Sequence, residues 1–314
     1  MSERYDRANM AGYYPNVSAI GDRLKCVSTY DLIYYKNSEI IIKSLYNNCY
    51  KTRKCDDVDY ELLRRIALSS GVTKNQLYNY MLLQGKNLPY EEFKNRLYNL
   101  EYRGILGTAV VHMVKDNKDV VVYDLDHFSN EVLPMLGIAG VSSILDYHYN
   151  KDIMRFIRVK IASNQILLNL LCHQKVIRDF EFNNCGSNTY VVKNLKKNPS
   201  ENEQFPLIVR SMKKTYFFMF VADTQIGREE FERKINTIKN RLWLNRKNAV
   251  LVIAAEDMRH MQYLTHSAKI FLGNDIKFEV MYTYDCCWFN NAPGRFYTMA
   301  RGIGQAGLIP VRMI

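Results

Sequence analysis

The stretch that decides the fold runs over residues 71–104 and reads GVTKNQLYNYMLLQGKNLPYEEFKNRLYNLEYRG. Within it, Thr73 and Gln76 have the spacing of a T-x-x-Q capping box, which predicts that a short helix begins there. Gly85 ends that helix, and Pro89 opens another at the position where a helix start tolerates proline. The stretch therefore predicts two consecutive helices joined by a glycine-containing turn.

A further helix is expected just before this stretch, over Tyr60–Leu68. Leu62, Leu63 and Ile66 fall on one side of it, in the spacing of an amphipathic helix. Gly71 follows at the place that a C-terminal glycine takes. Three helices connected by glycine-containing turns make a tri-helical helix-turn-helix core.

After the third helix the periodicity changes to that of strands. Thr108–Val114 and Val120–Asp124 are rich in β-branched residues, and the turn-type tetrad Lys115–Lys118 separates them. This pattern predicts a β-hairpin directly after the third helix, the arrangement called a wing. We therefore expect a winged helix-turn-helix domain over residues 58–145, preceded by an N-terminal arm and helical segment over residues 1–57.

Residues 146–290 predict a separate α/β domain, and residues 291–314 a C-terminal tail. The domain opens with a long amphipathic helix, and its remaining elements alternate in type. The expected segments are strands at 176–182, 189–193, 207–212 and 215–222, a helix at 227–244, a strand at 249–255, a helix at 257–272 and a strand at 276–284. This order implies a central mixed sheet with flanking helices, so the fold class is α+β.

The charge is unevenly distributed along the 314 residues. The net charge is +11, yet residues 1–150 hold 18 basic and 18 acidic residues, so the excess lies entirely in residues 151–314. Basic side chains release counterions from polyanions, which favours a nucleic-acid partner. The start of the sequence carries acids and no apolar core, and the apolar runs are of strand length, so we expect a cytoplasmic protein without a membrane partner.

The third helix presents residues that suit contact with bases. Each residue turns the helix by about 100°, which separates an apolar stripe from an outward face. The stripe is Phe93, Leu97 and Leu100, and the outward residues are Asn95, Tyr98, Asn99 and Tyr102. Asparagine can form two hydrogen bonds with adenine in the major groove, so this face fits base edges. The alternative is an ordinary solvated helix face.

Polar and basic residues around this face are expected to contact the DNA backbone. On the third helix and the hairpin they are Lys94, Arg96, Arg103, Lys115, Asn117 and Lys118. In the second domain they are Arg233 and Lys234, on the helix over 227–244. The sequence predicts no metal site and no cofactor for this function.

The segment 206–223 resembles the PD-(D/E)xK nuclease core, in which carboxylates on neighbouring strands hold a divalent metal that activates water. Here Leu207 follows the proline where an acid is expected, and Asp223 is the acid that remains. One carboxylate holds magnesium poorly, so Asp179 or Glu181 would have to supply another. We therefore expect no catalytic residues. A nuclease, if present, would use Asp223 and Lys234 with Mg²⁺ or Mn²⁺.

From about residue 58 to residue 285, the chain resembles the plasmid replication-relaxation family. The resemblance rests on a winged helix followed by a sheet with a Pro-x strand, a strand ending in an acid and a basic helix. Where that family shows Pro-Asp and Glu-x-Asp, this sequence has Pro206-Leu207 and Val221-Ala222-Asp223. The resemblance implies work at an origin of replication or transfer, with a relaxase or replication protein as partner.

Together these patterns predict a sequence-specific double-stranded DNA-binding protein of a plasmid or mobile element. We expect a non-catalytic accessory factor that recruits other proteins, and a homodimer would lengthen the site it reads. Three alternatives stay open: a metal-dependent DNA endonuclease, a transcriptional repressor and a protein-interaction adaptor.

Overall fold

The computed structural model describes ranges of the chain that hold six helices and eleven strands. The described residues are 24–27, 55–69, 71–102, 105–113, 118–125, 153–173, 177–182, 205–220, 228–245, 248–255, 258–273, 276, 278–284, 296–299 and 308–311.

The described elements form a mixed α+β protein with two sheets, so the predicted fold class with a central mixed sheet is confirmed. The helices are α1 (Asp57–Ser69), α2 (Lys74–Leu83), α3 (Tyr90–Tyr102), α4 (Ile153–His173), α5 (Arg228–Asn245) and α6 (Met258–Leu272). The strands are β1 (Leu24–Val27), β2 (Val72–Thr73), β3 (Leu106–Met113), β4 (Lys118–Leu125), β5 (Ile177–Phe182), β6 (Leu207–Ser211), β7 (Thr215–Phe220), β8 (Ala249–Ala255), β9 (Glu279–Tyr284), β10 (Phe296–Met299) and β11 (Leu308–Val311). None of the helices in these ranges is long and apolar enough to cross a membrane.

The chain divides into two compact units, and the division falls inside α4, between Asn164 and Gln165. We call the described residues up to Asn164 the N-terminal unit and those from Gln165 onward the C-terminal unit. The division lies later than the predicted boundary at residue 145, so the first part of α4 belongs with the preceding helices rather than with the second sheet.

The N-terminal unit packs α1, α2 and α3 beside a four-stranded antiparallel sheet. The strand order is β1-β3-β4-β2, and β3 and β4 form a hairpin with eight paired positions from Leu106↔Leu125 to Met113↔Lys118. The largest side chains of its core are fully buried. They include Leu62, Leu63, Ile66, Leu77, Tyr80 and Phe93. β1 pairs with β3, so this part of the segment predicted as an arm and helices is a strand.

The capping box at the start of α2 is present as predicted. The Thr73 hydroxyl oxygen accepts a hydrogen bond from the Gln76 backbone N–H at 3.3 Å, and the Gln76 side-chain oxygen accepts one from the Thr73 N–H at 3.2 Å. The Gln76 amide also donates to the backbone oxygen of Ile161 in α4 at 2.8 Å. The side-chain oxygen and the side-chain nitrogen of Gln76 therefore both form hydrogen bonds, and the bond from the nitrogen joins α2 to the first part of α4.

A second group of polar contacts holds the same part of α4. The Tyr80 hydroxyl donates to the backbone oxygen of Asn164 at 3.1 Å, and the Asn164 amide donates to the Gly71 oxygen at 3.4 Å. These groups are buried, where an unsatisfied polar atom is costly. The contacts explain physically why the unit extends to Asn164.

The C-terminal unit is built on a seven-stranded mixed sheet in the order β11-β10-β9-β8-β7-β6-β5. β7, β8 and β9 are parallel, with α5 and α6 as the crossover connections, and the other neighbouring pairs are antiparallel. Every residue of the central β8 is buried, and the core combines one face of this sheet with α5 and α6.

The end of the chain departs from the prediction. Residues 291–314 were expected to form a tail, but they contribute β10 and β11 to one edge of the sheet. Pro310 lies in β11, the edge strand, where the N–H that proline lacks is not needed by a further neighbour. The predicted strand at 189–193 falls outside the described residues.

Candidate nucleic-acid interface

The outward side of α3 is exposed over its whole length. We define the α3 face as the four residues Asn95, Tyr98, Asn99 and Tyr102, all of which are exposed. The side chains of Phe93, Leu97 and Leu100, on the opposite side, are at most 1% exposed. The helix thus presents two amides and two phenols to solvent, as its periodicity predicts.

The two tyrosines of this face lie against each other. Tyr98 is 65% exposed and Tyr102 74% exposed. Their ring centroids are 6.3 Å apart with 21° between the ring planes, a stacked pair one helical turn apart. Exposed aromatic side chains of this size are typical of binding surfaces, because they bury much apolar area with few rotatable bonds.

Arg96, which the sequence predicts to contact phosphate, forms ion pairs with three carboxylates of the protein itself. Its guanidinium binds Asp56 at 2.7 Å, Asp59 at 3.1 Å and Glu92 at 3.1 Å. The Arg96 side chain is 22% exposed and that of Asp59 is 12% exposed. We call these four residues the Arg96 cluster. They join α3 to the start of α1.

The pKa values of the cluster agree with this geometry. Burial works against the charged form of Arg96, but hydrogen bonds to Asp56, Asp59 and Glu92 outweigh it, so the pKa of Arg96 lies above its ordinary value. Burial likewise acts to raise the pKa of Asp56, but hydrogen bonds from the Asp59 N–H and from Arg96 lower it overall. The Asp56 carboxylate also accepts the Val58 N–H at 3.0 Å, which caps the start of α1.

Lys94 lies at the edge of the α3 face and forms an ion pair with Glu91, at 2.7 Å. Its ammonium is 5.6 Å from the centroid of the Tyr90 ring, and that of Lys74 is 5.9 Å from the same centroid. Burial, and then the positive charge of Lys94, lower the pKa of Lys74, and Glu91 partly offsets this. The two cations thus share one aromatic ring.

Sequence reasoning missed Lys74, although a signal for it was present. The capping box makes residue 74 the first residue of α2, where the helix dipole and the free N–H groups favour anions. Its neighbour Asn75 accepts a hydrogen bond from the Tyr90 hydroxyl at 3.2 Å, which fixes the beginning of α2 beside α3. Lys74, at the beginning of α2, and Lys94, in the second turn of α3, therefore form a basic pair around the Tyr90 ring.

The remaining predicted residues of the hairpin are only partly described. Lys118 is the first residue of β4 and pairs with Met113, the last residue of β3. The side chain of Lys118 lies outside the described part of the chain. Arg103, Lys115 and Asn117 also lie outside it.

In the C-terminal unit, the predicted residues Arg233 and Lys234 lie at different distances from the buried stripe of α5. Phe231, Ile235 and Ile238 of that helix are at most 1% exposed. Arg233 is exposed, whereas Lys234 is half-buried and makes polar interactions of its own. Asp223, the acid of the nuclease alternative, is not among the described residues.

Two observations bear on the nuclease alternative. Leu207, at the position of the expected acid, is fully buried. Asp179 binds Arg210 at 2.7 Å, and Arg210 pairs with Thr215 at the beginning of β7. The described residues contain no group of three or more His, Cys, Asp or Glu side chains that could hold a metal ion.

No protein-family model matches the chain, and comparison with curated proteins and with solved structures gave no match either. The resemblance to the plasmid replication-relaxation family therefore rests on the sequence patterns given above.

Proposed function

We propose that this chain is a sequence-specific double-stranded DNA-binding protein whose N-terminal unit acts as a winged helix-turn-helix. The observation that carries the proposal is the exposed α3 face, which is followed directly by the β3–β4 hairpin. A helix of this width fits the major groove, which is about 12 Å wide. In this reading α3 enters the groove and the hairpin lies along the backbone.

The charges around the α3 face give the backbone contacts of this proposal. Lys74 is the first residue of α2, where the helix N-terminus favours phosphate, and Lys94 lies beside the same Tyr90 ring in the second turn of α3. Arg103, Lys115, Asn117 and Lys118, which the sequence predicts to contact the DNA backbone, are part of the same proposal. The basic excess of residues 151–314, which includes Arg233, would add contacts that are independent of DNA sequence.

The cellular setting is part of the same proposal. The family resemblance favours a cytoplasmic accessory factor of a plasmid or mobile element, which acts at an origin of replication or transfer. There it would recruit a relaxase or replication protein, and a homodimer would double the length of the site. We propose no catalysis, because Leu207 fills with an apolar side chain the position where a nuclease needs a carboxylate.

The test is selection of bound fragments from a pool of random duplexes at ~150 mM salt, with and without Mg²⁺. We expect an enriched motif and intact fragments. Tyr98→Ala and Asn99→Ala should each weaken binding to that motif about tenfold or more, the usual loss for a contact to a base edge. Tyr263→Ala and Gln262→Ala are matched controls, because both residues are exposed on α6. Equal effects of all four variants, or no enriched motif, would contradict the proposal, and shortened fragments would favour the nuclease.

A protein-interaction adaptor is a second candidate, and one observation favours it. The α3 face carries a stacked tyrosine pair, while Lys94 and Arg96 beside it are both paired with acids. Aromatic side chains flanked by neutralised charges are typical of protein interfaces. An adaptor would show negligible affinity for the random duplex pool at ~150 mM salt. Its tyrosine variants would leave DNA affinity unchanged.

A further inference from the structure

The described side chains on the outward side of α3 lack a free guanidinium. Arg96 is the arginine of this helix, and all three of its nitrogens donate to carboxylates of the Arg96 cluster. Lys94 forms an ion pair with Glu91. What the α3 face offers instead is two side-chain amides, from Asn95 and Asn99, and the stacked rings of Tyr98 and Tyr102.

From this inventory we infer that the α3 face reads adenine–thymine base pairs from the major groove. The inference rests on the proposed DNA-binding function and adds the class of base pair. Arginine and lysine are the side chains that best recognise guanine, through O6 and N7. Asparagine recognises adenine through N6 and N7, and apolar surface contacts the C5-methyl group of thymine. The α3 face carries the asparagines and the apolar surface that suit adenine–thymine pairs, and not the arginine or lysine that suits guanine.

The spacing of the amides suits base pairs that lie about two steps apart. Asn95 and Asn99 are four residues apart, so they are about 6 Å apart along the helix axis and lie on the same side. Base pairs are stacked at about 3.4 Å, so the two amides address positions roughly two steps apart. Tyr98 and Tyr102 are also four residues apart and so have the same spacing along the helix axis. Their stacked rings form one continuous apolar surface beside the amides.

The Arg96 cluster keeps the Arg96 guanidinium in place when DNA is bound. The α3 face therefore presents the same amides and rings in the free and the bound protein. Rotating Arg96 toward a guanine would leave Asp59, whose side chain is 12% exposed, without the cation that neutralises it. Asp56 would lose the same partner while it caps α1. An uncompensated carboxylate in that position is unfavourable. The ion pairs therefore hold the guanidinium away from the bases and leave recognition to amides and rings.

The test uses chemically altered versions of the duplex that emerges from the random-pool selection. Uracil in place of thymine removes only the C5-methyl group, and 7-deazaadenine in place of adenine removes only the N7 acceptor. We expect each change, at the positions that the α3 face contacts, to weaken binding about tenfold. In Tyr98→Ala the effect of uracil should disappear while that of 7-deazaadenine remains. In Asn99→Ala the reverse should hold.

A second substitution in the duplex distinguishes contacts in the major groove from contacts in the minor groove. An inosine–cytosine pair presents the minor groove of an adenine–thymine pair but the major groove of a guanine–cytosine pair. We expect inosine–cytosine to weaken binding as much as guanine–cytosine does. If inosine–cytosine is tolerated, preference for adenine–thymine comes from the minor groove or from DNA shape, and the inference is wrong. It is also wrong if guanine–cytosine pairs are enriched at the positions where Tyr98→Ala and Asn99→Ala act. Failure of the DNA-binding proposal looks different, because no motif would then be enriched at all.

Discussion

The sharpest stability prediction concerns Arg96, and the change to make is Arg96→Met. Methionine keeps the length and the apolar stem of the arginine side chain but removes the guanidinium. The variant therefore deletes the ion pairs to Asp56, Asp59 and Glu92 and leaves the packing of α3 nearly unchanged. The loss should appear as a lower free energy of unfolding of the N-terminal unit.

The magnitude follows from the exposure of each partner. The side chains of Asp56 and Glu92 are 54% and 46% exposed, so their bonds to Arg96 contribute no more than ~1 kcal/mol in total. Asp59 is 12% exposed, and leaving a mostly buried carboxylate without its cation costs about 1 to 2 kcal/mol. We expect Arg96→Met to lower the free energy of unfolding by roughly 1 to 3 kcal/mol.

The assay is urea denaturation followed by far-UV circular dichroism and, separately, by tryptophan fluorescence. Both tryptophans, Trp243 and Trp288, come after Asn164 in the chain, so fluorescence follows the C-terminal unit and should be unchanged. Arg259→Met is the matched control, because Arg259 is exposed on α6; it should stay within about 0.5 kcal/mol of wild type.

One result would refute this reasoning. If Arg96→Met unfolds at the wild-type urea concentration but binds DNA more weakly on every sequence, with a salt dependence shallower by about one charge, the guanidinium contacts phosphate. Its ion pairs would then be incidental, and the inference that the α3 face lacks a free guanidinium would fall with them.

Three further predictions concern the caps and the pH dependence. Thr73→Ala should cost about 1 kcal/mol in urea denaturation, because it removes the hydroxyl that accepts the Gln76 N–H, whereas Thr73→Ser keeps that oxygen and should cost less. The pKa of Asp56 is lower in the folded state than in the unfolded state, so its contribution to the free energy of unfolding is complete above the unfolded pKa and is lost as pH falls below about 4. Arg96→Met should flatten this part of a curve of stability against pH. Gly273→Ala should cost about 1 kcal/mol in thermal or urea denaturation, because Gly273 has φ +68° and an added Cβ meets nothing within 4 Å, so backbone strain alone is measured; an unchanged midpoint would contradict it.

The elements that the sequence predicted well are those with local signals. The capping box at Thr73 and Gln76, the glycine at 85 and the alternating runs of β3 and β4 lie within short windows. The buried stripe of α3 follows from helical periodicity alone. These features depend on residues that are close together in the chain, so they can be predicted from local sequence patterns.

The features that were missed depend on distant partners. β1 and β10 are four residues long and have no clear alternation, so only their neighbours β3 and β9 make them strands. The C-terminal boundary of the N-terminal unit is set by side chains such as Gln76 and Tyr80, which contact residues 84 or more positions later. No local pattern in residues 146–164 carries that information.

Arg96 illustrates the same limit at the candidate site. Its partner Glu92 is one turn away and was visible in the sequence, but Asp56 lies 40 positions earlier. The sequence therefore indicated a basic flank on α3, and only the packing of α1 against α3 turned that residue into an internal ion pair. The consequence for function depends on the side chains of α3 that lie outside the Arg96 cluster. Once the guanidinium is held between two helices, the chemistry left on the α3 face is that of amides and aromatic rings, and any base sequence it recognises must be one that amides and rings can distinguish.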